Sequence, residues 1–154
     1  DIEAGELRYA SAAHPDALHV RRSQLTVESI GGPTQRKGPA LGLFEDASFP
    51  TCRRPISVDD LLLLFTDGLT EAEGTNHECF SEERLIAAIG QRTHLPTPEM
   101  LQELITEIQS FCGSKEFTDD VSIVGVGIKR LGPLPHAFCS VAKSSFPESA
   151  NRTS

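Results

Sequence analysis

Two apolar runs dominate the hydrophobic pattern of the chain, one at residues 61–65 and one at residues 121–128. Both are rich in aliphatic or β-branched residues and have the length of buried strands. Shorter stretches in which apolar and polar residues alternate predict further strands at 6–12, 17–22, 25–30 and 49–53. Between the last two of these strands, Gly and Pro recur along residues 34–47, which are therefore predicted to form a loop.

The second half of the chain carries two patterns that are typical of amphipathic helices. Ser81 has the position of an N-cap for a helix over residues 82–89, which is expected to stop at Gly90. Phe80 and Leu85 have the spacing of a hydrophobic staple across that N-terminus. This helix is expected to cover a sheet and to carry no chemistry of its own.

A longer helix is predicted to follow. Thr97 is its expected N-cap, Pro98 takes the first helical position, and Gly113 is expected to end it. Apolar residues recur on one face of this helix with a period of 3.6, at Leu101, Leu104, Ile105, Ile108, Phe111 and Cys112. That face is predicted to pack on the sheet.

The composition limits the kinds of partner and location. The 154 residues suffice for one domain of ordinary size, and the net charge of −8 argues against nucleic acid as a partner. No apolar stretch approaches the roughly 18 residues that cross a bilayer, so no membrane span is predicted. The cysteines are too widely spaced for a zinc site or a disulfide framework, which favours reduced thiols and a cytoplasmic location: Cys52, Cys79, Cys112 and Cys139.

Candidate chemistry lies at the ends of the two apolar runs. Asp67 follows the first run, and Asp119 with Asp120 precedes the second. An ionised carboxylate at the end of a buried strand needs a hydrogen-bonding or charged partner. If the two strands are neighbours in a sheet, their ends would bring these carboxylate oxygens close together. Hard divalent cations such as Mg²⁺ and Mn²⁺ prefer oxygen ligands, so the residues predict a metal-dependent hydrolase. The alternative is that Asp67 is only a turn residue, because Asp-Gly is a common turn pair, and that Asp119 only caps a strand.

Four ordered segments connect these residues to a family. They read G-E-L-R-Y-A-S-A-A-H-P at 5–15, G-P-A-L-G-L-F at 38–44, D-L-L-L-L-F-T-D-G-L-T-E-A at 60–72 and F-T-D-D-V-S-I-V at 117–124. Their sequence, order and spacing resemble the bacterial metal-dependent protein phosphatases of the PPM type, in the sporulation-stage-II-E-like class. A lone T-D-G would be weak evidence, whereas four ordered matches along most of the chain are specific.

The resemblance implies a fold and an activity. The expected fold is α+β, a β-sandwich of mostly antiparallel sheets with helices on both outer faces (αββα). The expected activity is the hydrolysis of phosphoserine or phosphothreonine in proteins, assisted by two divalent metal ions, Mn²⁺ or Mg²⁺. The expected substrate is a phosphorylated regulatory protein, such as an anti-sigma-factor antagonist of the STAS type.

The resemblance also assigns roles to individual residues. Asp67 and Asp119 match metal-binding aspartates of the family. Asp120 matches a neighbouring polar position that supports the site, and Gly68 is expected to let the backbone turn close to the metals because it lacks a Cβ. His14 lies in a matched turn, where both a supporting role and a purely structural role remain open.

The sequence departs from the family pattern in two ways. Ala13 stands where the family usually has Gly, and Ala40 where it has Pro, so both loops are expected to be slightly altered, while Ser122 for Thr is a mild change. More seriously, the family's N-terminal half, which carries further metal-binding aspartates, has no counterpart here. We therefore expect residues 1–130 to form the C-terminal part of a phosphatase domain that is incomplete at its N-terminus, with a flexible tail or linker at 131–154.

Two consequences follow from an incomplete domain. The chain is expected to hold only part of the metal site, so in isolation it should be catalytically inert or nearly so. The strand at 7–12 would present an unpaired edge, and self-association through that edge is predicted.

Two other classes of function compete with this interpretation. Haloacid-dehalogenase-like phosphatases also place an acidic motif after an apolar strand, but their nucleophile would fall on Phe65 or Thr66, and neither residue has a carboxylate. The stronger alternative is a catalytically incomplete module that binds a phosphoprotein or assists a partner.

Overall fold

The computed structural model describes residues 1–31 and 38–132. Its elements, in chain order, are β1 (Glu6–Tyr9), β2 (Leu18–Arg21), β3 (Thr26–Ser29), β4 (Cys52–Pro55), β5 (Leu61–Phe65), a 3₁₀ turn (Asp67–Leu69), α1 (Glu82–Gly90), α2 (Thr97–Cys112) and β6 (Ile123–Gly127). The predicted α+β class is confirmed. All paired strands in the two sheets are antiparallel.

The larger sheet has four strands in the order β3-β2-β5-β6. β2 and β3, which agree with the strands predicted at 17–22 and 25–30 to within one residue at each end, form a hairpin, with Leu18 opposite Ser29 and Arg21 opposite Thr26. β5 lies in the interior of this sheet and pairs with β2 on one side and β6 on the other. Its observed bounds equal the predicted ones, because the apolar run is closed by a polar residue at each end.

The main core lies between one face of this sheet and both helices. β2 and β5 supply alternate residues to it: Leu18, Val20, Leu61, Leu63 and Phe65. The helices supply the facing residues: Leu85, Ala88, Ile89, Met100, Leu104 and Ile108. Burying one such Leu or Ile side chain contributes about 1.5–3 kcal/mol, so this shared cluster is what fixes the helices on the sheet.

The opposite face of the four-stranded sheet is covered only in part. Leu62 is buried there, as are Ile30 and Ile56, near the two-stranded sheet of β1 and β4. Ile56 donates its backbone N–H to the carbonyl of Gly5 at 2.9 Å, which holds the segment after β4 beside the segment before β1. The part of this face on β5 and β6 is open, and its apolar side chains are 42–56% exposed: Leu64, Val124 and Val126.

β6 starts two residues later than the predicted run at 121–128, and two other predicted strands differ from the structure by more than two residues at one end. The strand at 6–12 ends at Tyr9, because the backbone groups of Ser11 and Ala13 hydrogen-bond to Gly38 instead of continuing the sheet. The strand at 49–53 is displaced to Cys52–Pro55, where it pairs with β1. It starts after Pro50, which has no N–H to donate to a ladder.

The ends of α1 follow the sequence signals closely. Ser81 is the N-cap, and its hydroxyl accepts the backbone N–H of Arg84 at 3.5 Å. The same hydroxyl holds the pKa of Glu83 below its usual value. Phe80 and Leu85, the predicted hydrophobic staple, are both buried in the main core.

The start of α2 differs from the prediction. Pro96 is the N-cap, Thr97 is the first helical residue, and no side chain caps the helix. The hydroxyl of Thr97 instead accepts a hydrogen bond from the guanidinium of Arg22 at 3.3 Å. The C-terminal end is as predicted, because Gly113 takes the left-handed conformation with φ 66°.

Two further predictions concern membrane-spanning segments and the C-terminal tail. Neither of the described helices is long and apolar enough to cross a membrane. Of the tail predicted at 131–154, only Leu131 and Gly132 are described, and the backbone N–H of Gly132 donates to the carbonyl of Ile2 at 2.8 Å. Residues 133–154, including Cys139, lie outside the described residues.

Candidate metal centre

The pairing of β5 with β6 brings the two predicted acidic segments to one edge of the sheet. The ladder runs antiparallel from Leu61 opposite Gly127 to Phe65 opposite Ile123. The end of β5 therefore lies beside the start of β6. Asp67 follows this ladder end on one strand, and Asp119 with Asp120 precedes it on the other.

Thr66 joins the two acidic segments directly. Its backbone N–H donates to the carbonyl of Ser122 at 3.1 Å, which extends the ladder by one bond. Its hydroxyl donates to the carbonyl of Asp120 at 2.9 Å and accepts the backbone N–H of Ser122 at 2.9 Å. One side chain thus satisfies groups on both sides of Val121 in the neighbouring segment.

Gly68 permits a close approach between the same two segments. It is buried within the 3₁₀ turn, and a Cβ placed on it would lie 2.7 Å from the carbonyl oxygen of Asp120. A real side chain almost never approaches a backbone oxygen that closely. The glycine is therefore required by its contact with Asp120, a more specific reason than the chain turn that the sequence suggested.

The carboxylates of Asp67 and Asp119 are both on exposed residues. The backbone carbonyl of Asp67 accepts the N–H groups of Thr70 and Glu71 at 2.8 Å each, which fixes the turn that carries it. Oδ1 of Asp119 accepts the backbone N–H of Asp120 at 2.7 Å. The turn that carries Asp67 is thus held by backbone hydrogen bonds, and Asp119 bonds to the next residue of its own segment.

These residues fit one part of a site for a hard cation. Asp67 and Asp119 are exposed carboxylates on segments that are tied together, and Mn²⁺ or Mg²⁺ prefers such oxygen donors. Within residues 1–31 and 38–132, no group of three or more His, Cys, Asp or Glu side chains is arranged to hold a metal ion. The described residues therefore supply a partial set of ligands, and the assignment of Asp67 and Asp119 as ligands stays a prediction.

Among the described residues, the hydrogen bonds of His14 are local. It is exposed, its ring Nδ1 is hydrogen-bonded to the carbonyl of Pro15 at 2.9 Å, and its own carbonyl accepts the Ser11 hydroxyl at 3.5 Å. Its neighbour Ala13 has φ 59°, a left-handed conformation that costs a non-glycine residue about 1–2 kcal/mol. The turn thus keeps a glycine-type backbone despite the substitution, and the supporting role of His14 stays a prediction.

Sequence reasoning missed a buried polar pair at the other end of β5. His19 and Asp60 are almost completely buried, and Nε2 of His19 lies 2.8 Å from Oδ2 of Asp60. The same oxygen accepts the backbone N–H of Ser57 at 2.8 Å. The one available signal was that Asp60 immediately precedes the apolar run, as Asp67 closely follows it.

The class of the protein follows from a family match along most of the chain. The chain matches, over residues 1–129, the family described as Stage II sporulation protein E (SpoIIE). It therefore belongs to the SpoIIE family of PPM (PP2C-like) phosphatase domains, which confirms the family that the motifs indicated.

Individual relatives are consistent with this membership. Protein IcfG from Synechocystis sp. is 31% identical to the chain over 130 residues, which make up 82% of this chain and 19% of that protein. The chain thus spans less than a fifth of the length of this curated relative.

Solved structures show the same fold over part of their length. The structure of the RsbU and RsbW domains of a Mycobacterium tuberculosis protein aligns with a TM-score of 0.62 at 23% identity, over 86% of this chain and 35% of that one. The Mn-presoaked structure of the phosphatase domain of the cell fate determinant SpoIIE from Bacillus subtilis aligns with a TM-score of 0.58 at 16% identity, over 87% and 56%. These likenesses concern the fold alone.

Proposed function

We propose that this chain forms part of a metal-dependent phosphatase that hydrolyses phosphoserine or phosphothreonine in a regulatory protein. The observation that carries the proposal is the pair of exposed aspartates, Asp67 and Asp119, on two segments that Thr66 ties together at one sheet edge. Membership in the SpoIIE family supplies the class of reaction, and phosphoproteins are the substrates that this class implies.

The residues of the chain would act mainly by holding cations in place. Asp67 and Asp119 would provide oxygen ligands, and the rigid turn around Gly68 would keep Asp67 beside the second acidic segment. Two bound Mn²⁺ or Mg²⁺ ions supply charge neutralisation at the phosphate and activation of water in such enzymes. Asp120 would contribute mainly through its backbone carbonyl, which accepts the Thr66 hydroxyl.

The substrate that we propose is a phosphoserine on an anti-sigma-factor antagonist of the STAS type, within a cytoplasmic regulatory system. The support is the resemblance to the sporulation-stage-II-E-like class, in which such proteins are the usual targets. A panel of phosphorylated STAS proteins tests this point, because the absence of phosphate release by the natural full-length protein on all of them would contradict it.

A complete ligand set for two cations needs carboxylates beyond those described. Asp67 and Asp119 provide one carboxylate each, and the described residues hold no larger group of potential ligands. We therefore expect the isolated 154-residue chain to release little or no phosphate. The same observation favours the second candidate function, a catalytically incomplete module that binds a phosphoprotein without turnover.

We also infer that further structure covers the open sheet surfaces in the complete domain. Leu64, Val124 and Val126 form an exposed apolar face, as expected if a second sheet of an αββα sandwich belongs on it. β1 pairs only with β4 among the described strands, so its other edge is available for self-association, as predicted. Analytical ultracentrifugation of the isolated chain tests this, and a strictly monomeric chain at high concentration would contradict it.

The decisive experiment compares the isolated chain with the natural full-length protein on a phosphoserine protein in the presence of Mn²⁺. The full-length protein should release phosphate in a Mn²⁺-dependent manner, and Asp67→Asn or Asp119→Asn should lower the rate at least about a hundredfold. Asp59→Asn, a change at another exposed aspartate, should leave the rate unchanged.

Two results would contradict parts of the proposal. Full activity of Asp67→Asn in the full-length protein would remove Asp67 from the metal site. Strong Mn²⁺-dependent turnover by the isolated chain, abolished by Asp67→Ala, would show that its ligand set is complete after all.

A further inference from the structure

We propose that Thr66 is a positioning residue that fixes the segment carrying Asp119 and Asp120 relative to Asp67. The inference rests on the proposed metal-binding function of these aspartates. It arises from one hydroxyl group, which both donates to Asp120 and accepts from Ser122 across a sequence separation of 54 and 56 residues.

The two hydrogen bonds of the Thr66 hydroxyl lie just beyond the end of the β5–β6 ladder, where few other bonds connect the two segments. The ladder between β5 and β6 ends at Phe65 opposite Ile123, and among the described residues only the backbone bond from Thr66 to Ser122 continues the pairing beyond it. The side chain of Thr66 adds two further bonds at this point. Three bonds from one residue therefore hold the acidic segment at the sheet edge.

The chemistry of threonine suits this task. A hydroxyl is the smallest side-chain group that can donate and accept at once, and both functions are used here. The branched Cβ of Thr66 restricts χ1, and its backbone is extended, with φ −82° and ψ 156°. The hydroxyl is thus held in the orientation that reaches both backbone groups.

The close approach at Gly68 makes the spacing of the two segments sensitive to this link. The carbonyl of Asp120 accepts the Thr66 hydroxyl and lies against Gly68 at the same time. Without the hydroxyl, the carbonyl of Asp120 and the N–H of Ser122 would turn to water, because both residues are exposed. The separation of Asp67 from Asp119 would then vary, and a cation that needs both carboxylates would bind less tightly.

The test uses the ¹⁵N-labelled chain and two measurements, Mn²⁺-induced broadening of amide resonances at 66–68 and 119–122, and hydrogen exchange of the Ser122 amide. Thr66→Val, which keeps the shape and removes the hydroxyl, should raise the Mn²⁺ concentration for half-maximal broadening about tenfold. It should also speed exchange at Ser122 about tenfold. Thr66→Ser, which keeps the hydroxyl, should stay within about twofold of the wild type in both.

Thr106→Val is the matched control. The hydroxyl of Thr106 donates to the carbonyl of Gln102 at 2.8 Å on an exposed part of α2, away from the acidic segments. The control should change neither measurement. Circular dichroism verifies the fold of each variant, and if Thr66→Val does not fold, Thr66→Ala serves as the second variant without a hydroxyl.

The outcomes separate this inference from the proposed function. If Thr66→Val binds Mn²⁺ as the wild type does, or if Thr66→Ser is as weak as Thr66→Val, the hydroxyl has no positioning role and the inference is wrong. If Mn²⁺ broadens none of these resonances in the wild-type chain, Asp67 and Asp119 do not bind the cation on their own, and the part of the proposed site that they form has failed. In that case, faster hydrogen exchange at Ser122 in Thr66→Val, without a change in Thr66→Ser, would still show that the Thr66 hydroxyl holds Ser122. Unchanged exchange at Ser122 in Thr66→Val would show that it does not, and the inference would be wrong.

Discussion

Strand β5 has an aspartate near each end, and the two lie in opposite environments. Asp60 immediately precedes the strand and is 3% exposed, with one carboxylate oxygen bonded both to His19 and to the backbone of Ser57. Asp67 lies two residues after the strand, is exposed, and its carboxylate accepts no hydrogen bond from the described residues. One carboxylate is thus partnered within the protein, and the other is left free for solvent or a cation.

Asp60 is a structural carboxylate, whereas Asp67 is a candidate functional one. A buried carboxylate must be hydrogen-bonded or paired, so the partners of Asp60 account for it completely. An exposed carboxylate needs no partner, but the chain around Asp67 is tied to the segment of Asp120 by the Thr66 hydroxyl and lies close against it at Gly68. Asp67 therefore has the position that we propose for a metal ligand.

The largest effect on stability should come from the buried end. Asp60→Ala removes the partner of buried His19 and of the Ser57 N–H, and it should lower the free energy of unfolding by about 3 kcal/mol. Urea denaturation followed by circular dichroism measures this. Asp59→Asn is the control, because Asp59 is exposed and its φ of 69° is one that Asn adopts readily, so it should change stability by less than about 0.5 kcal/mol.

A double-mutant cycle sharpens the assignment of that cost to the pair itself. His19→Leu should cost at least about 1 kcal/mol less in the Asp60→Ala background than in the wild type, because each single change leaves the other group buried without its partner. The four unfolding free energies come from the same urea experiments. Additive costs within about 0.5 kcal/mol would mean that His19 and Asp60 contribute to stability independently. Asp60 would then not be a carboxylate that its buried partner stabilises.

Local patterns predicted the elements well, and non-local contacts account for the errors. The bounds of β5 followed from an apolar run closed on both sides by polar residues. The start of α2 was misplaced because the Thr97 hydroxyl accepts a hydrogen bond from Arg22, 75 residues away, and does not cap the helix. β4 was misplaced because the predicted strand included Pro50, which cannot donate to a ladder, and because its register is set by its pairing with β1.

In the candidate site too, local patterns were predicted and contacts between distant residues were not. Asp67, Asp119 and Gly68 were found from their positions at strand ends and from motif matches. The bridge through Thr66 spans more than 50 residues, so no spacing along the chain could indicate it, although the threonine stood in the quoted motif. The pair of His19 and Asp60 spans 41 residues and was missed for the same reason.

At the exposed end of β5, a change at Gly68 should have an intermediate effect. Gly68→Ala places a Cβ against the backbone oxygen of Asp120, which must move, and the expected loss is about 1–2 kcal/mol of unfolding free energy. Gly90→Ala is the matched control, since a Cβ there meets nothing within 4 Å and alanine favours a helix. Equal stability of both variants would show that the two acidic segments are not in close contact.

The smallest effect on stability should come from Asp67 itself. Its carboxylate makes no hydrogen bond within the described chain, so Asp67→Asn should leave the urea midpoint almost unchanged when no metal is present. Added Mn²⁺ should stabilise the wild type by about 1.4 kcal/mol at ten times its dissociation constant, because a ligand that binds only the folded state shifts the equilibrium.

That stabilisation should be absent in Asp67→Asn and retained in Glu71→Gln, which removes another exposed carboxylate from the same turn. A loss of stability in Asp67→Asn without metal, as large as that of Asp60→Ala, would mean that both aspartates are structural. Equal stabilisation of wild type and Asp67→Asn by Mn²⁺ would place the cation elsewhere. Only a variant that is neutral without metal and unresponsive with it fits the contrast between the two ends of β5.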